Sequence, residues 1–230
     1  MHIAGARLEI LGLASAVPER VVSNEELARR FDDSLPIDRI QAYTGVRERR
    51  HAELGQTAAD LGVCAAEKLL AASRIPRSAV DFLIFCTETP DHVFPATACH
   101  VQDRLKLPTT CAAFDVNLGC SGWVYCLGIA QGFLSAAIGR MGLIITADTL
   151  TSSIHPLDRS IAFLFGDAAT ATLVGGTTAG AGLNHLILGT DGAGARHLII
   201  PAGAARLPRS PATAIETMDA SGSVRSQNHV

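Results

Sequence analysis

The chain has 230 residues, of which 48% are hydrophobic and 18% are charged, and its formal net charge is −3. This composition is typical of a globular protein with a substantial core, and it lacks the excess of basic charge that nonspecific nucleic-acid binding requires. No apolar run approaches the roughly 20 residues that span a bilayer, and the first residues lack the order of a signal peptide. We therefore expect a cytoplasmic protein with no nucleic-acid partner and no membrane association.

The cysteines and histidines do not form a recognisable ligand pattern. The six cysteines contain no C-x-x-C pair, and the eight histidines are scattered along the chain. We therefore expect reduced thiols and no metal site. The segment Gly166-Asp167-Ala168-Ala169 lacks the Lys and Ser/Thr of a phosphate-binding loop, so ATP or GTP use is not expected either. The sequence predicts no bound cofactor.

The N-terminal region predicts a strand and a short helix. Residues 7–14 alternate as in a strand, and Ser23-Asn24-Glu25-Glu26 is a capping box from which a helix runs to about Phe31. Residues 32–38 are predicted to form a loop. The basic segment 43–51 is typical of a solvated surface, with a phosphate or acidic-partner contact as the alternative.

The next elements alternate between helix and strand. Thr57 is a plausible N-cap, residues 80–86 form a continuous apolar run suited to a central strand, and a helix is predicted over 96–105. A strand before Cys120, a helix to about residue 138 and a strand over 142–146 follow. This order predicts a largely parallel sheet between helices, with chemistry at the carboxyl ends of its strands. The helix after Thr57 should pack on the sheet through apolar residues at helical spacing: Leu61, Ala65, Leu69 and Ala72.

The remainder of the chain is less periodic. Residues 161–165 and 170–174 resemble paired strands, and 175–182 reads as a connection between two halves. Residues 183–188 are predicted to begin a new strand, whereas the polar tail over 221–230 is expected to end without one.

Cys120 is the candidate nucleophile. It lies at the predicted turn between an apolar strand and a helix, where unpaired N–H groups and the helix dipole stabilise a thiolate. Gly119 and Gly122 would allow a strained backbone and the close approach of a substrate carbonyl, and Trp123 and Tyr125 could wall a tunnel. A buried structural cysteine is the alternative that the local pattern leaves open.

With these elements placed, the chain resembles β-ketoacyl-acyl carrier protein synthase III, a condensing enzyme of the thiolase superfamily. The resemblance covers residues 8–228 and rests on motifs that occur in the family's order. These are Thr44-Gly45-Val46-Arg47-Glu48-Arg49, Phe94-Pro95-Ala96-Thr97-Ala98-Cys99, Phe114-Asp115-Val116 leading to Gly119-Cys120-Ser121-Gly122, and Asp158-Arg159-Ser160 leading to Phe165-Gly166-Asp167-Ala168-Ala169.

The resemblance implies an α/β thiolase-like fold of αβαβα layers, usually in a homodimer. This chain would supply the first half, residues 1–175, and an incomplete start of the second, residues 176–230. It further implies that Cys120 is acylated by an acyl-coenzyme A or acyl-carrier protein. The bound acyl group would then condense with malonyl-acyl carrier protein by decarboxylation, in fatty-acid or polyketide-like biosynthesis. Phe94 matches a residue that reaches the partner subunit's acyl pocket, with an ordinary core role as the alternative.

The chain departs from the family pattern in three ways. The family's catalytic His and Asn lie in the second half and are not matched, so the condensing site is expected to be incomplete. Arg39 replaces a tryptophan that stacks on the coenzyme A adenine, and Tyr43 replaces a phosphate-binding arginine, although Arg159 matches the adenine's other face. Leu118-Gly119 replaces a more usual pair of small residues, a pattern associated with specialised pathways.

Three functions follow from this resemblance. The first is a decarboxylative condensation through Cys120. The second is acyl transfer to an oxygen or nitrogen acceptor, or the joining of two acyl chains. The third is a noncatalytic partner subunit, against which the retained thiol argues.

Overall fold

A computed structural model describes residues 5–31, 36–178 and 182–230. The predicted loop over 32–38 and the predicted connection over 175–182 therefore lie partly outside the described residues. The strands are β1 (Arg7–Ala16), β2 (Arg20–Ser23), β3 (Glu48–His51), β4 (Phe82–Cys86), β5 (Ala112–Val116), β6 (Met141–Asp148), β7 (Ala168–Thr177), β8 (Thr217–Met218) and β9 (Val224–Arg225). The α-helices are α1 (Asn24–Ala28), α2 (Ile37–Thr44), α3 (Ala58–Ser73), α4 (Thr97–Arg104) and α5 (Gly122–Ser135).

The chain forms two compact units, each built from separate segments. The first unit comprises Met1–Val17, Leu54–Asp148 and Ala168–Leu188. The second comprises Pro18–Glu53, Thr149–Asp167 and Gly189–Val230. The boundary near residue 175 that the resemblance implies stays a prediction.

The first unit contains a five-stranded mixed sheet in the order β1-β7-β6-β4-β5. β4 is parallel to both β5 and β6, whereas β7 is antiparallel to both β1 and β6. The prediction of a largely parallel sheet therefore holds for β4, β5 and β6. It is wrong for β7, which enters between β1 and β6 in the opposite direction.

Helices cover both faces of this sheet. Every residue of β4 is buried, and successive side chains point to opposite faces. Leu83 and Phe85 join the core beneath α3 and α4, whereas Phe82 and Ile84 join the core beneath α5. The continuous apolar run of β4 thus reflects a strand buried on both sides.

Helix caps fix the ends of α3 and α4. Thr57 Oγ1 accepts from the N–H of Asp60 (3.3 Å), and Asp60 Oδ2 accepts from the N–H of Thr57 (2.9 Å), which confirms the predicted N-cap. The first residues of α4 have no cap in their own segment. Instead, the Asp115 carboxylate of β5 accepts from the N–H groups of Thr97 (2.6 Å) and Ala98 (2.7 Å). Of the four predicted packing residues of α3, Ala72 is exposed.

The second unit contains the antiparallel β2–β3 pair, helices α1 and α2, and the small β8–β9 pair. Ser23 Oγ caps α1 by accepting from the N–H of Glu26 (3.2 Å), while the Glu26 carboxylate pairs with Arg20 (3.2 Å) rather than completing the predicted box. A core of Val22, Leu27, Phe31 and Phe163 joins α1 to the rest of this unit.

The predicted basic surface is largely internal. Arg49 is buried, and its guanidinium donates to the carbonyl of Val22 (3.1 Å), to Asn24 Oδ1 (2.6 Å) and to the carbonyl of Phe163 (2.7 Å). Arg50 also donates to a backbone carbonyl, that of Pro18 (3.1 Å). These contacts make the segment a structural tie.

Three secondary-structure predictions in the later part of the chain are wrong. Residues 161–165 form a turn rather than a strand, and 183–188 contain no strand. Conversely, the tail contributes β9, which pairs with β8. The apolar run over 161–165 packs by burying Ala162 and Phe163, so its hydrophobicity reflects burial and not strand pairing.

Candidate active site

Cys120 lies in the tight turn between β5 and α5, as predicted. β5 ends at Val116, and α5 begins at Gly122. The N–H of Gly122 donates to the carbonyl of Gly119 (2.8 Å), which closes the turn around Cys120. The Cys120 side chain is exposed. The turn therefore presents a thiol to solvent at the carboxyl end of a parallel strand, beside the first turn of a helix.

Gly122 is required because Cys86 approaches it. A Cβ built on Gly122 would lie 2.4 Å from Cys86 Sγ, and this thiol donates to the carbonyl of Leu118 (3.1 Å). The hydrogen bond with Cys86, together with burial, raises the pKa of Cys126. Neither Gly119 nor Gly122 has a positive φ, so the predicted strained backbone is not found. Their small size serves close packing instead.

Glu88 makes the corresponding approach to Gly119. A Cβ on Gly119 would lie 2.6 Å from Glu88 Oε2 and 2.9 Å from its Cδ. Glu88 immediately follows the strand-end residue Thr87, and its carboxylate therefore rests on the residue before Cys120. Sequence analysis missed this contact because nothing local links two residues that follow different strands.

Asp148, at the end of β6, organises the loop that carries Glu88. Its Oδ1 accepts from Thr87 Oγ1 (3.0 Å), from the N–H of Glu88 (2.8 Å) and from Thr89, both at its N–H (3.1 Å) and at its Oγ1 (3.0 Å). Burial raises the pKa of Asp148, although these hydrogen bonds oppose the shift. Burial and, second, the Asp148 carboxylate raise the pKa of Glu88.

The aromatic residues predicted to wall a tunnel lie at the start of α5. Trp123 is 36% exposed, and its indole N–H donates to Oγ1 of the buried Thr172 in β7 (3.1 Å). Tyr125 is partly buried. Trp123 thus ties α5 to the sheet, and the tunnel stays a prediction.

Phe94 belongs to a loop whose base is fixed and whose tip is open. Asp91 accepts from Thr57 Oγ1 (3.0 Å), and its N–H donates to Thr97 Oγ1 (3.3 Å). Beyond this anchor, Val93 and Phe94 are 97% and 85% exposed. Phe94 is not a core residue of the described chain.

Arg159 and Arg39 both belong to the second unit. The Arg159 guanidinium carbon lies 5.4 Å from the centre of the Phe31 ring, and a Cβ built on Gly222 would come within 3.6 Å of it. Arg39 is exposed on α2, and Tyr43 is 93% exposed one turn later. Their proposed contact with a coenzyme A adenine stays a prediction.

The second unit also contains a polar cavity that sequence analysis did not identify. Its volume is about 670 Å³, and Asp158, Arg225 and His229 are among its lining residues. Burial pushes the pKa of Asp158 upward, but hydrogen bonds from Arg225 and Ser160 outweigh it and hold that pKa below its usual value. Burial, and then the neighbouring His155, lower the pKa of His229.

Two further searches covered the described ranges only. They contain no group of three or more His, Cys, Asp and Glu side chains arranged to hold a metal ion. Within the same ranges, no helix is both long and apolar enough to cross a membrane.

Comparison with known proteins identifies consistent relatives. Residues 114–192 match the family profile described as 3-oxoacyl-[acyl-carrier-protein] synthase III. The β-ketoacyl-[acyl-carrier-protein] synthase III of Caldanaerobacter subterraneus subsp. tengcongensis is 40% identical over 204 residues, which cover 89% of this chain and 61% of the relative. The chain therefore spans about three fifths of the length of this curated relative.

Solved structures give the same result. A crystal structure of a 3-oxoacyl-(acyl-carrier-protein) synthase III matches with a TM-score of 0.88 and 45% identity, and the match covers 97% of this chain and 66% of that one. The priming β-ketosynthase of the R1128 polyketide pathway matches with a TM-score of 0.70 and 30% identity, over 77% of this chain and 52% of that one. The match confirms the predicted thiolase-like α/β fold.

Proposed function

Because the chain belongs to the β-ketoacyl-[acyl-carrier-protein] synthase III family, we propose that Cys120 captures an acyl group in a decarboxylative condensing reaction. The single observation that carries this proposal is the exposed thiol of Cys120 in the turn between β5 and α5. A cysteine at this position can attack a thioester, and covalent capture divides one difficult bimolecular step into two easier ones.

The proposed first step is acyl transfer from a thioester to sulfur. Cys120 Sγ bonds to the acyl carbon, and the donor leaves as a thiol. The backbone N–H of Cys120 is a candidate donor to the oxyanion that forms on the acyl oxygen. The proposed donors are acyl-coenzyme A and acyl-carrier protein, and Arg159 and Arg39 are candidate contacts for the donor arm.

The proposed second step uses malonyl-acyl carrier protein. Loss of carbon dioxide from the malonyl group gives a carbanion that attacks the acyl carbon on Cys120, and the thiolate of Cys120 leaves. The product is a β-ketoacyl-acyl carrier protein for fatty-acid or polyketide-like biosynthesis. We propose this reaction for the whole protein, of whose relative the present chain spans 61%.

We further propose that the protein acts as a homodimer in which Phe94 reaches the acyl site of the other copy. Two observations support this proposal. Val93 and Phe94 are exposed at the tip of an anchored loop, and β5 occupies the edge of the sheet with β4 as its neighbour. An exposed strand edge and exposed large apolar side chains both favour association with a second chain.

Intact mass spectrometry tests the role of Cys120. The purified protein is incubated with short and medium acyl-coenzyme A and with acyl-carrier protein. We expect one acyl unit to be added to the native protein and none to the Cys120→Ala variant. Cys99→Ala is the matched control because Cys99 is also exposed, and it should retain the adduct. Capture that persists in Cys120→Ala would overturn the proposal.

Product analysis tests the second step. Protein carrying the acyl group is mixed with malonyl-acyl carrier protein, and separately with alcohol or amine acceptors. A β-ketoacyl-acyl carrier protein is the expected product. An ester or amide formed in its place would assign the chain to acyl transfer without condensation.

A further inference from the structure

The Glu88 carboxylate lies against the backbone that holds the nucleophile. Oε2 is 2.6 Å and Oε1 is 3.1 Å from the position that a Cβ on Gly119 would occupy. Only a residue without a side chain leaves room for the carboxylate here. Since Gly119 precedes Cys120, the contact brings a carboxyl group to the turn that presents the thiol.

Three strand ends determine where Glu88 lies. Its own segment continues from β4, and the turn that it touches continues from β5. The end of β6 supplies Asp148, whose Oδ1 accepts from the N–H of Glu88 (2.8 Å) and from Thr87 Oγ1 (3.0 Å). The backbone of Glu88 is therefore anchored in the sheet, while its side chain remains directed at Gly119.

The charges around Glu88 favour its protonated form more than water does. Burial first, and the Asp148 carboxylate second, raise the pKa of Glu88. The other titratable group that interacts with both carboxylates is the thiol of Cys86. None of the ion pairs formed by the described residues includes Glu88 or Asp148. A carboxyl group whose pKa moves toward neutrality can both accept and return a proton.

We propose that Glu88 exchanges the proton of acyl capture at Cys120, an inference that rests on the proposed function. The S–H bond of Cys120 breaks and its proton moves to a Glu88 oxygen as Sγ bonds to the acyl carbon. The C–S bond of the donor thioester then breaks, and its electron pair stays on the donor sulfur. That sulfur receives the proton from Glu88. Nothing is oxidised or reduced, and the carboxylate is restored.

Single-turnover acylation with a leaving-group series tests this role. Thioesters of one acyl group with an alkyl thiol and with a thiophenol are compared by intact mass over time. Glu88→Gln should slow transfer from the alkyl thioester by about 10- to 100-fold. It should slow transfer from the thiophenol ester less, because an aryl thiolate leaves without a proton. Glu9→Gln is the matched control, since Glu9 is an exposed carboxylate on β1, and it should match the native protein.

Two further readouts separate proton transfer from a structural role. The rate ratio of native protein to Glu88→Gln should rise with pH as Glu88 ionises, and Glu88→Asp, which keeps the carboxyl group, should lose less activity than Glu88→Gln. Equal slowing of both thioesters, an unchanged alkyl rate, or equal loss in the Asp and Gln variants would overturn the inference alone. Native protein that forms no adduct with any thioester would overturn the proposed function and this inference with it.

Discussion

Asp148 gathers hydrogen bonds from the loop after β4 on a single carboxylate oxygen. Asp148→Ala removes the acceptor of Thr87, Glu88 and Thr89, and Thr87 is buried. We expect a loss of about 2–3 kcal/mol in the free energy of unfolding, because buried donors then lack a partner. Asp148→Asn keeps an acceptor oxygen and should lose less. Urea denaturation followed by circular dichroism measures both, and equal losses would contradict this role.

The same pair of proteins carries a pH prediction. The folded pKa of Asp148 is raised above its unfolded value, so the folded state binds the proton more tightly than the unfolded state does. This contribution to stability is present below the unfolded pKa of about 3.9 and is lost as the pH rises through the folded pKa. The native protein should therefore lose stability relative to Asp148→Asn over that rise.

Sequence reasoning at the residue scale found Cys120 but not its neighbours. An apolar strand, small residues and a helical segment lie next to one another in the chain, so their pattern placed the thiol in its turn. The approach of Glu88 to Gly119 depends on the packing of β4 beside β5. Gly119 and Gly122 were recognised as significant, but for backbone freedom, whereas the structure shows that they make room for Glu88 and Cys86.

At the scale of single elements, the cap of α3 is a test of local stability. Thr57 Oγ1 accepts from the N–H of Asp60 and donates to Asp91, which anchors the loop before Phe94. Thr57→Ala should cost about 1 kcal/mol of stability. Thr57→Ser retains the hydroxyl and serves as the matched control. Urea denaturation compares the two, and a loss of the same size in Thr57→Ser would show that the hydroxyl is not responsible.

Elements with strong local signals were predicted well, and elements defined by long-range pairing were not. α3 has a capping box and helical spacing, and β4 has a continuous apolar run, so each was located from its own residues. The direction of β7 is set by its partners β1 and β6, which lie far away in sequence. Residues 161–165 are apolar because Phe163 is buried in a turn, and its carbonyl accepts from Arg49.

At the scale of the whole molecule, the proposed dimer can be tested by light scattering coupled to size-exclusion chromatography. The native protein should have the mass of two chains. Replacing both Val93 and Phe94 with Ser removes exposed apolar side chains from the loop tip and should shift the protein toward monomer. Leu54→Ser is the matched control, because Leu54 is fully exposed elsewhere in the first unit. A native monomer, or equal dissociation in the control, would contradict the proposal.

The antiparallel entry of β7 has a consequence for synthesis on the ribosome. β1 is made first, yet its only neighbour in the described sheet is β7, with Arg7 opposite Thr177. Until β7 has left the exit tunnel, β1 has no strand beside it, and one edge of β6 is open. Contacts between such distant segments form slowly because a long loop must close first. The nascent chain therefore emerges with its first strand waiting for one of its last, a period in which a chaperone would protect both exposed edges.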